Sequence, residues 1–261
     1  MDATTATMSP VIEHPYLMNT PWFMLGTLAL YLYIVTDLGP NFMEHRKPYT
    51  LKKLIICHNI IQVVSCIYVI YEILFVTHGN ILYFWKCSGP IHEPEIVTRH
   101  FRLAQFLFWL KLSELIETVI FVLRKKQNQV SKLHVFHHIA TLTLIYCLLH
   151  YNENGTAAFY PVFLNSMVHI IMYSYYLVAA VADKKVIRAL TPVKKSITVI
   201  QMVQFFFILL QAVIQSIRCG VPKVVFTYFV IVVGLMFYGF YDFYNNSYKK
   251  SQRRKSLTSE K

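Results

Sequence analysis

The chain has 261 residues, of which 56% are hydrophobic and 15% charged, and its formal net charge is +12. A water-soluble domain carries about a quarter charged residues, so the composition excludes an ordinary soluble protein and fits a chain surrounded mostly by lipid. The basic residues sit between apolar runs and not on one continuous face, so no nucleic-acid partner is expected; membrane topology, membrane lipid and anionic substrates account for the charge.

Residues 1–21 are polar, contain Asp2 and Glu13, and lack Lys and Arg, so no cleavable signal peptide is expected and the segment reads as a luminal extension. Seven apolar stretches then approach or exceed the ~20 residues that span a bilayer: 22–40, 54–79, 101–123, 133–151, 157–180, 196–218 and 224–245. The expected architecture is an all-α, polytopic membrane protein with seven transmembrane helices over residues 22–248, followed by a disordered basic tail over 249–261. Lys and Arg gather in alternate connections: Arg46 to Lys53, Arg124 to Lys132, Lys184 to Lys195, and the tail. By the positive-inside rule these face the cytosol, which puts the N-terminus in the lumen and the C-terminus in the cytosol. The sequon Asn154-Gly155-Thr156 falls in a short luminal loop, too near the membrane to carry weight. Five cysteines (Cys57, Cys66, Cys87, Cys147 and Cys219) share no CxxC spacing, and four lie in or beside apolar runs. They read as small core residues and not as a disulfide framework.

Ionisable side chains are costly inside a bilayer and belong on a bundle interior or a cavity. In the third span Lys111, Glu114 and Thr118 share a helical face with Glu117 adjoining; Lys111 and Glu114 read equally as a structural ion pair or as part of a site. The fourth span opens with His134, His137 and His138, three imidazoles within five residues beside a basic connection, which points to chemistry. Asn165, His169, Tyr173 and Tyr176 follow as one stripe on the fifth span, and Gln201, Gln204, Gln211 and Gln215 as another on the sixth. Either stripe suits a hydrogen-bonded packing seam or the lining of a cavity.

The HxxHH spacing suggests metal first. His-box desaturases and hydroxylases use about eight imidazoles, however, and here one box and His169 give four. The ExxH pairing of carboxylate di-iron bundles is absent, as are HExxH and a Cys ligand pair. The other reading needs no metal: a neutral imidazole is a nucleophile near physiological pH, and an acyl-imidazole passes its acyl group on readily. A seven-helix receptor or transporter is a third reading, without recognisable receptor motifs or broken mid-membrane helices to support it.

Six ordered blocks carry a family resemblance. They are Gly39-Pro40-xx-Met43-xx-Arg46-Lys47-Pro48, Lys111-xx-Glu114-xx-Glu117-Thr118, Phe121-xx-Arg124-Lys125-Lys126, His134-xx-His137-His138, Asn165-Ser166-xx-His169-xx-Met172-Tyr173-x-Tyr175-Tyr176, and Thr198-xx-Gln201-xx-Gln204-Phe205. Together they resemble the elongation of very long chain fatty acids (ELO) family. Three positions depart from its usual pattern: Glu117 where Asp is common, His58 where Tyr often stands, and Asp242 in place of Asn. The tail also lacks a dilysine retrieval signal in its last four residues.

The resemblance implies six helices around an acyl tunnel that opens to the cytosol, in the endoplasmic reticulum membrane. It implies a very-long-chain 3-oxoacyl-CoA synthase, condensing acyl-CoA with malonyl-CoA, with no cofactor and no metal. The remaining steps would belong to a 3-oxoacyl-CoA reductase, a 3-hydroxyacyl-CoA dehydratase and an enoyl-CoA reductase, consistent with the lack of a Gly-rich dinucleotide fingerprint here; a homodimer is compatible. His137 is the expected nucleophile, with His134, His138 and His169 orienting or stabilising. Lys111, Glu114, Glu117, Asn165, Tyr173, Gln201 and Gln204 are expected to bind substrate. Arg124 and Lys125 at the rim suit CoA phosphates or serve topology alone.

Overall fold

The computed structural model describes residues 20–87, 94–151, 158–219 and 223–249, and every regular element among them is helical. The long helices are α1 (Pro21–Met43), α2 (Lys52–Val76), α3 (Pro94–Leu123), α4 (Lys132–Tyr151), α5 (Phe159–Val181), α6 (Thr191–Arg218) and α7 (Lys223–Tyr244). A 3₁₀ turn, Ile81–Trp85, follows α2, and a short helix, Lys184–Ala189, joins α5 to α6. Five of the long helices (α1, α2, α5, α6 and α7) are long and apolar enough to cross a membrane. The other two, α3 and α4, carry Lys111, Glu114 and Glu117, and the three histidines of the box.

Each apolar helix shows an exposed greasy stripe at three- and four-residue spacing. Ile61, Val64, Tyr68 and Tyr71 form it on α2, Val203, Phe206 and Leu210 on α6, and Val224, Tyr228, Ile231, Leu235 and Tyr238 on α7. Such a belt is a surface made for lipid, since water-facing proteins bury this much contiguous apolar area. The opposite stripes form the core. Tyr31 and Val35 of α1, Val69 and Ile73 of α2, Leu107 and Phe108 of α3, and Leu142 and Ile145 of α4 make one cluster. Ala140 of α4 joins Phe205 and Ile208 of α6 and Val232, Val233 and Met236 of α7 in a second.

Three features depart from the expected spans. Helix α3 starts at Pro94, seven residues before the apolar run: Pro and Glu95 suit a first turn, and Arg99 there is neutralised by Glu72 and Glu95 at 3.2 and 3.3 Å. Helix α6 likewise begins early, at Thr191, with Pro in its first turn. Helix α1 passes through a π turn, Ile34–Leu38, immediately before Gly39 and Pro40. Pro40 has no N–H to give the preceding turn, and the wider turn absorbs that loss. Gly39 is required there, because a Cβ would lie 2.5 Å from the Ile34 carbonyl oxygen and 2.8 Å from Val122 Cγ1 on α3.

The reading of all five cysteines as unpaired is corrected: Cys87 and Cys219 form a disulfide. One follows the 3₁₀ turn and the other ends α6, both at the end of the bundle remote from the basic connections. Their apolar neighbours are the ends of α6 and the turn, which the bond staples together. Two further bonds act at the same place: Gln211 and Gln215 Nε2 donate to the Phe84 carbonyl at 3.2 and 3.1 Å. Cys57, Cys66 and Cys147 are free, and of these only Cys66 is fully buried. The N-terminal segment, the sequon at Asn154 and the basic tail beyond Lys249 lie outside the described residues.

Alkylation of the denatured, unreduced protein therefore modifies Cys57, Cys66 and Cys147 alone, and prior reduction adds Cys87 and Cys219. Peptide mass mapping reads this directly; labelling of all five before reduction would refute the pairing.

Candidate active site

The site is built around a buried charge. Lys111 and Glu114 are one turn apart on α3, where helical spacing faces them the same way. Lys111 Nζ donates to Glu114 Oε1 at 2.8 Å and to Asn165 Oδ1 on α5 at 3.2 Å. The two are 6% and 1% exposed. Neither charge is tolerable alone in an apolar bundle, where desolvation costs several kcal/mol per ion. The same Glu114 oxygen lies 3.5 Å from His169 Nδ1. The ion pair and the site are thus one object, and it joins α3 to α5.

Helix α4 delivers its imidazoles against this pair. Ring centroids of His134 and His138 are 4.4 Å apart, those of His137 and His138 5.6 Å, and those of His137 and His169 6.5 Å. The structure therefore brings the four expected histidines together from two helices. A chain of hydroxyls fixes the outermost: Thr118 Oγ1 is 3.0 Å from His134 Nε2 and 2.9 Å from the Tyr31 hydroxyl of α1. Glu117, one turn from Glu114, turns to the other histidines. Glu117, His134 and His138 each bring a ligand atom within 4.8 Å of the others, a two-His, one-carboxylate grouping able to hold a metal ion.

His137 faces a different space. It lines a cavity of about 240 Å³ together with Lys111, Asn165 and Gln204 at one end. Beyond them the wall is mainly apolar, with Leu107, Ile145, Phe205, Ile208, Val233 and Met236 among its side chains. The described wall draws on α2 through α7 and takes nothing from α1. Cys66 and Cys147 also reach it. His137 Nδ1 and Glu114 Oε2 are buried with no hydrogen-bond partner.

The remaining expected residues divide. Tyr173 is buried, with its ring edge-on to His169 at 5.5 Å and to His58 of α2 at 6.0 Å. Gln204 reaches the cavity, but Gln201 bonds Met172 Sδ at 3.6 Å and does not line it. Arg124 and Lys125 sit at the end of α3, about 10 Å along the helix from Glu117. There Lys125 adopts a positive φ of 52° and donates to the Glu44 carbonyl at 3.0 Å, closing the connection after α1. The structure adds Tyr31 and His58 to the site's surroundings. His58 stood out in the sequence only as a departure from the family's usual pattern; Tyr31 had no signal.

The model of the GNS1/SUR4 (ELO) family matches residues 16–256. The chain belongs to the ELO family. Its relatives include very long chain fatty acid elongase 1 of Mus musculus, 34% identical over 254 residues, covering 94% of this chain and 88% of that protein. Elongase F of Drosophila melanogaster is 39% identical over 211 residues, covering 78% and 80%. Elongase 4 of Macaca mulatta is 32% identical over 249 residues, covering 94% and 77%.

Because Glu114 is held by Lys111, Lys111→Met strands a buried carboxylate and costs about 3–5 kcal/mol. Lys111→Met combined with Glu114→Gln removes both charges and recovers part of the lost thermal midpoint in detergent. A double variant as unstable as the sum of the two single losses would contradict a direct pair.

Proposed function

We infer that the protein is a fatty-acid elongase: it condenses a long-chain acyl-CoA with malonyl-CoA, giving 3-oxoacyl-CoA, CoA and carbon dioxide. Membership of the ELO family supports the reaction class. The observation that carries the residue assignment is His137, the box histidine in the wall of an apolar cavity whose polar end holds Lys111 and Asn165.

In this reading the His137 imidazole attacks the thioester carbonyl. The carbon–sulfur bond breaks, CoA leaves as a thiol with the imidazole's proton, and the acyl group rests on the ring. Malonyl-CoA then loses carbon dioxide, and the electron pair of that bond becomes an enolate. The enolate carbon attacks the acyl carbon, the carbon–nitrogen bond breaks, and the departing imidazole takes up a proton from water, which restores neutral His137. Lys111 and Asn165 sit where a developing oxyanion would need donors. His134, His138 and His169 hold the rings in register, and Tyr173 backs His169. Glu117, one methylene longer than the usual Asp, supplies the carboxylate beside His134 and His138, and Gln204 meets the acyl chain.

The same reading makes α3 and α4 membrane spans, giving seven, with their charged and imidazole groups facing inward as lipid demands. The cavity is then the acyl tunnel, enclosed by six helices with α1 outside. The basic connections face the cytosol, where Arg124 and Lys125 would meet CoA phosphates, and the disulfide faces the lumen of the endoplasmic reticulum, an oxidising compartment. The 3-oxoacyl-CoA product requires a ketone reductase, a dehydratase and an enoyl reductase to complete a cycle.

Purified protein given labelled malonyl-CoA and acyl-CoA forms 3-oxoacyl-CoA at a rate that a chelator leaves unchanged. His137→Ala lowers that rate on the order of 100-fold or more. Chelator sensitivity restored by a transition metal would shift the chemistry to Glu117, His134 and His138, and an undiminished His137→Ala variant would remove the nucleophile.

A further inference from the structure

Helix α1 reaches the site without lining the cavity. It packs on α3: Tyr31 and Val35 are 4% and 2% exposed, and Gly39 lies so close that a Cβ there would meet Val122 Cγ1 at 2.8 Å. Thr118 stands one turn before Val122 on α3, fully buried, and takes the Tyr31 hydroxyl. A phenol is thus delivered into an apolar interface, where its proton needs an acceptor.

Three atoms carry the contact. Tyr31 Oη is 2.9 Å from Thr118 Oγ1, and Thr118 Oγ1 is 3.0 Å from His134 Nε2. Distances alone leave the direction of donation open; the protons decide it. Among the described residues, the Tyr31 and Thr118 side chains make no other hydrogen bond. Thr141 and Thr143 of α4 donate to helix carbonyls three and four residues earlier, at 2.9 to 3.2 Å, but Thr118 makes no such bond. If His134 donated from Nε2, one hydroxyl proton, of Tyr31 or of Thr118, would be buried without an acceptor, which native interiors avoid. One arrangement places both protons: Tyr31 donates to Thr118, and Thr118 donates to His134 Nε2. That nitrogen is then an acceptor, so the neutral ring carries its proton on Nδ1. The other nitrogen suits this. Nδ1 of His137 and of His138 is buried without a partner, whereas Nδ1 of His134 is not trapped in that way.

The ring held like this is the outer support of the cluster. His134 lies edge-on to His138 at 4.4 Å and 77°, and His138 lies edge-on to His137 at 5.6 Å and 74°. Phe121 of α3 packs on His134 at 5.3 Å. A nitrogen of His134, a nitrogen of His138 and a Glu117 oxygen lie within 4.8 Å of one another. Moving the His134 proton from one nitrogen to the other therefore changes the electrostatic setting of His138 and, through it, of His137.

We propose that Tyr31 is a positioning residue for the condensation: through Thr118 it holds His134 as the neutral tautomer protonated at Nδ1, and so steadies His138 and His137. The role in turnover rests on the elongase reading; the tautomer does not. Tyr31 is not among the residues lining the described cavity, so its loss acts on the reaction rate and not on substrate binding.

The tautomer is read by ¹⁵N NMR of purified, histidine-labelled protein in detergent, with the His134 signals assigned by their absence in His134→Gln. Native protein is expected to show a protonated Nδ1 and an unprotonated Nε2 at His134. Tyr31→Phe is expected to populate the other tautomer and to lower kcat about 2- to 10-fold at unchanged KM. Thr118→Val does the same, and Thr118→Ser, which keeps the hydroxyl, retains both native readings. Tyr31→Phe combined with Thr118→Val is no slower than Thr118→Val alone, because both act through one chain. The Thr118 variants carry the test if Tyr31→Phe does not fold. The proposal is overturned by a native His134 protonated at Nε2, or by Tyr31→Phe or Thr118→Val leaving either the tautomer or kcat native. It is also overturned by Thr118→Ser behaving as Thr118→Val, or by a double variant whose loss is the product of the two single losses. Native protein that condenses no acyl-CoA defeats the elongase reading and the role in turnover with it, while the His134 spectrum still decides the tautomer.

Discussion

The Lys111–Glu114 pair is the contact on which the site depends. Two ions 2.8 Å apart inside an apolar bundle offset part of each other's desolvation, and further polar contacts add to that. Two such contacts come from α5: Asn165 Oδ1 accepts from Lys111, and His169 Nδ1 lies 3.5 Å from Glu114 Oε1. The pair therefore orders more than itself. It fixes the depth and rotation of α3 against α5, and His169 in turn sets where His137 of α4 can rest, 6.5 Å away. A hydrophobic pair of the same size would fill the space but would leave nothing to orient imidazoles.

Two carboxylates one turn apart are kept for separate work. Glu114 is neutralised and faces the cavity end of the cluster, whereas Glu117 turns toward His134 and His138. The hydroxyl chain from His134 through Thr118 to Tyr31 extends the same frame to α1, which contributes nothing to the described cavity wall. The bundle is thus polar, cross-linked by hydrogen bonds and populated by histidine at one end, and stapled by a disulfide and aromatic packing at the other. Between them lies apolar lining, with Leu107, Ile145, Phe205 and Ile208 among its side chains.

Much of this was legible in the chain. The apolar runs marked the helices, because about 20 apolar residues are hard to place except in lipid. The box at His134, His137 and His138 and the stripe through Asn165, His169 and Tyr173 were legible because i, i+3 and i+4 spacing converts directly into a helical face. What sequence hid follows from the same physics. Cys87 and Cys219 are 132 residues apart and share no local spacing, so only folding shows that they meet. Tyr31 is a single polar group in an apolar run, with no periodic partner to draw notice, and His58 stood out only as a departure from the family pattern. Gln201 and Gln204 look alike in one stripe, yet three residues of helix rotate them by about 300°, enough to put one on Met172 and the other in the cavity. The early start of α3 was hidden because Arg99 reads as a break until Glu72, on another helix, neutralises it.

In the elongase reading the acyl group rests on His137. Purified enzyme incubated with acyl-CoA and no malonyl-CoA, then analysed by intact mass and peptide mapping, tests this. A covalent imidazole mechanism gives one acyl group per chain, located on His137 and discharged when malonyl-CoA is added. An acyl group found instead on Cys66 or Cys147, the free thiols in the same cavity wall, or turnover with no adduct at any residue, would contradict it.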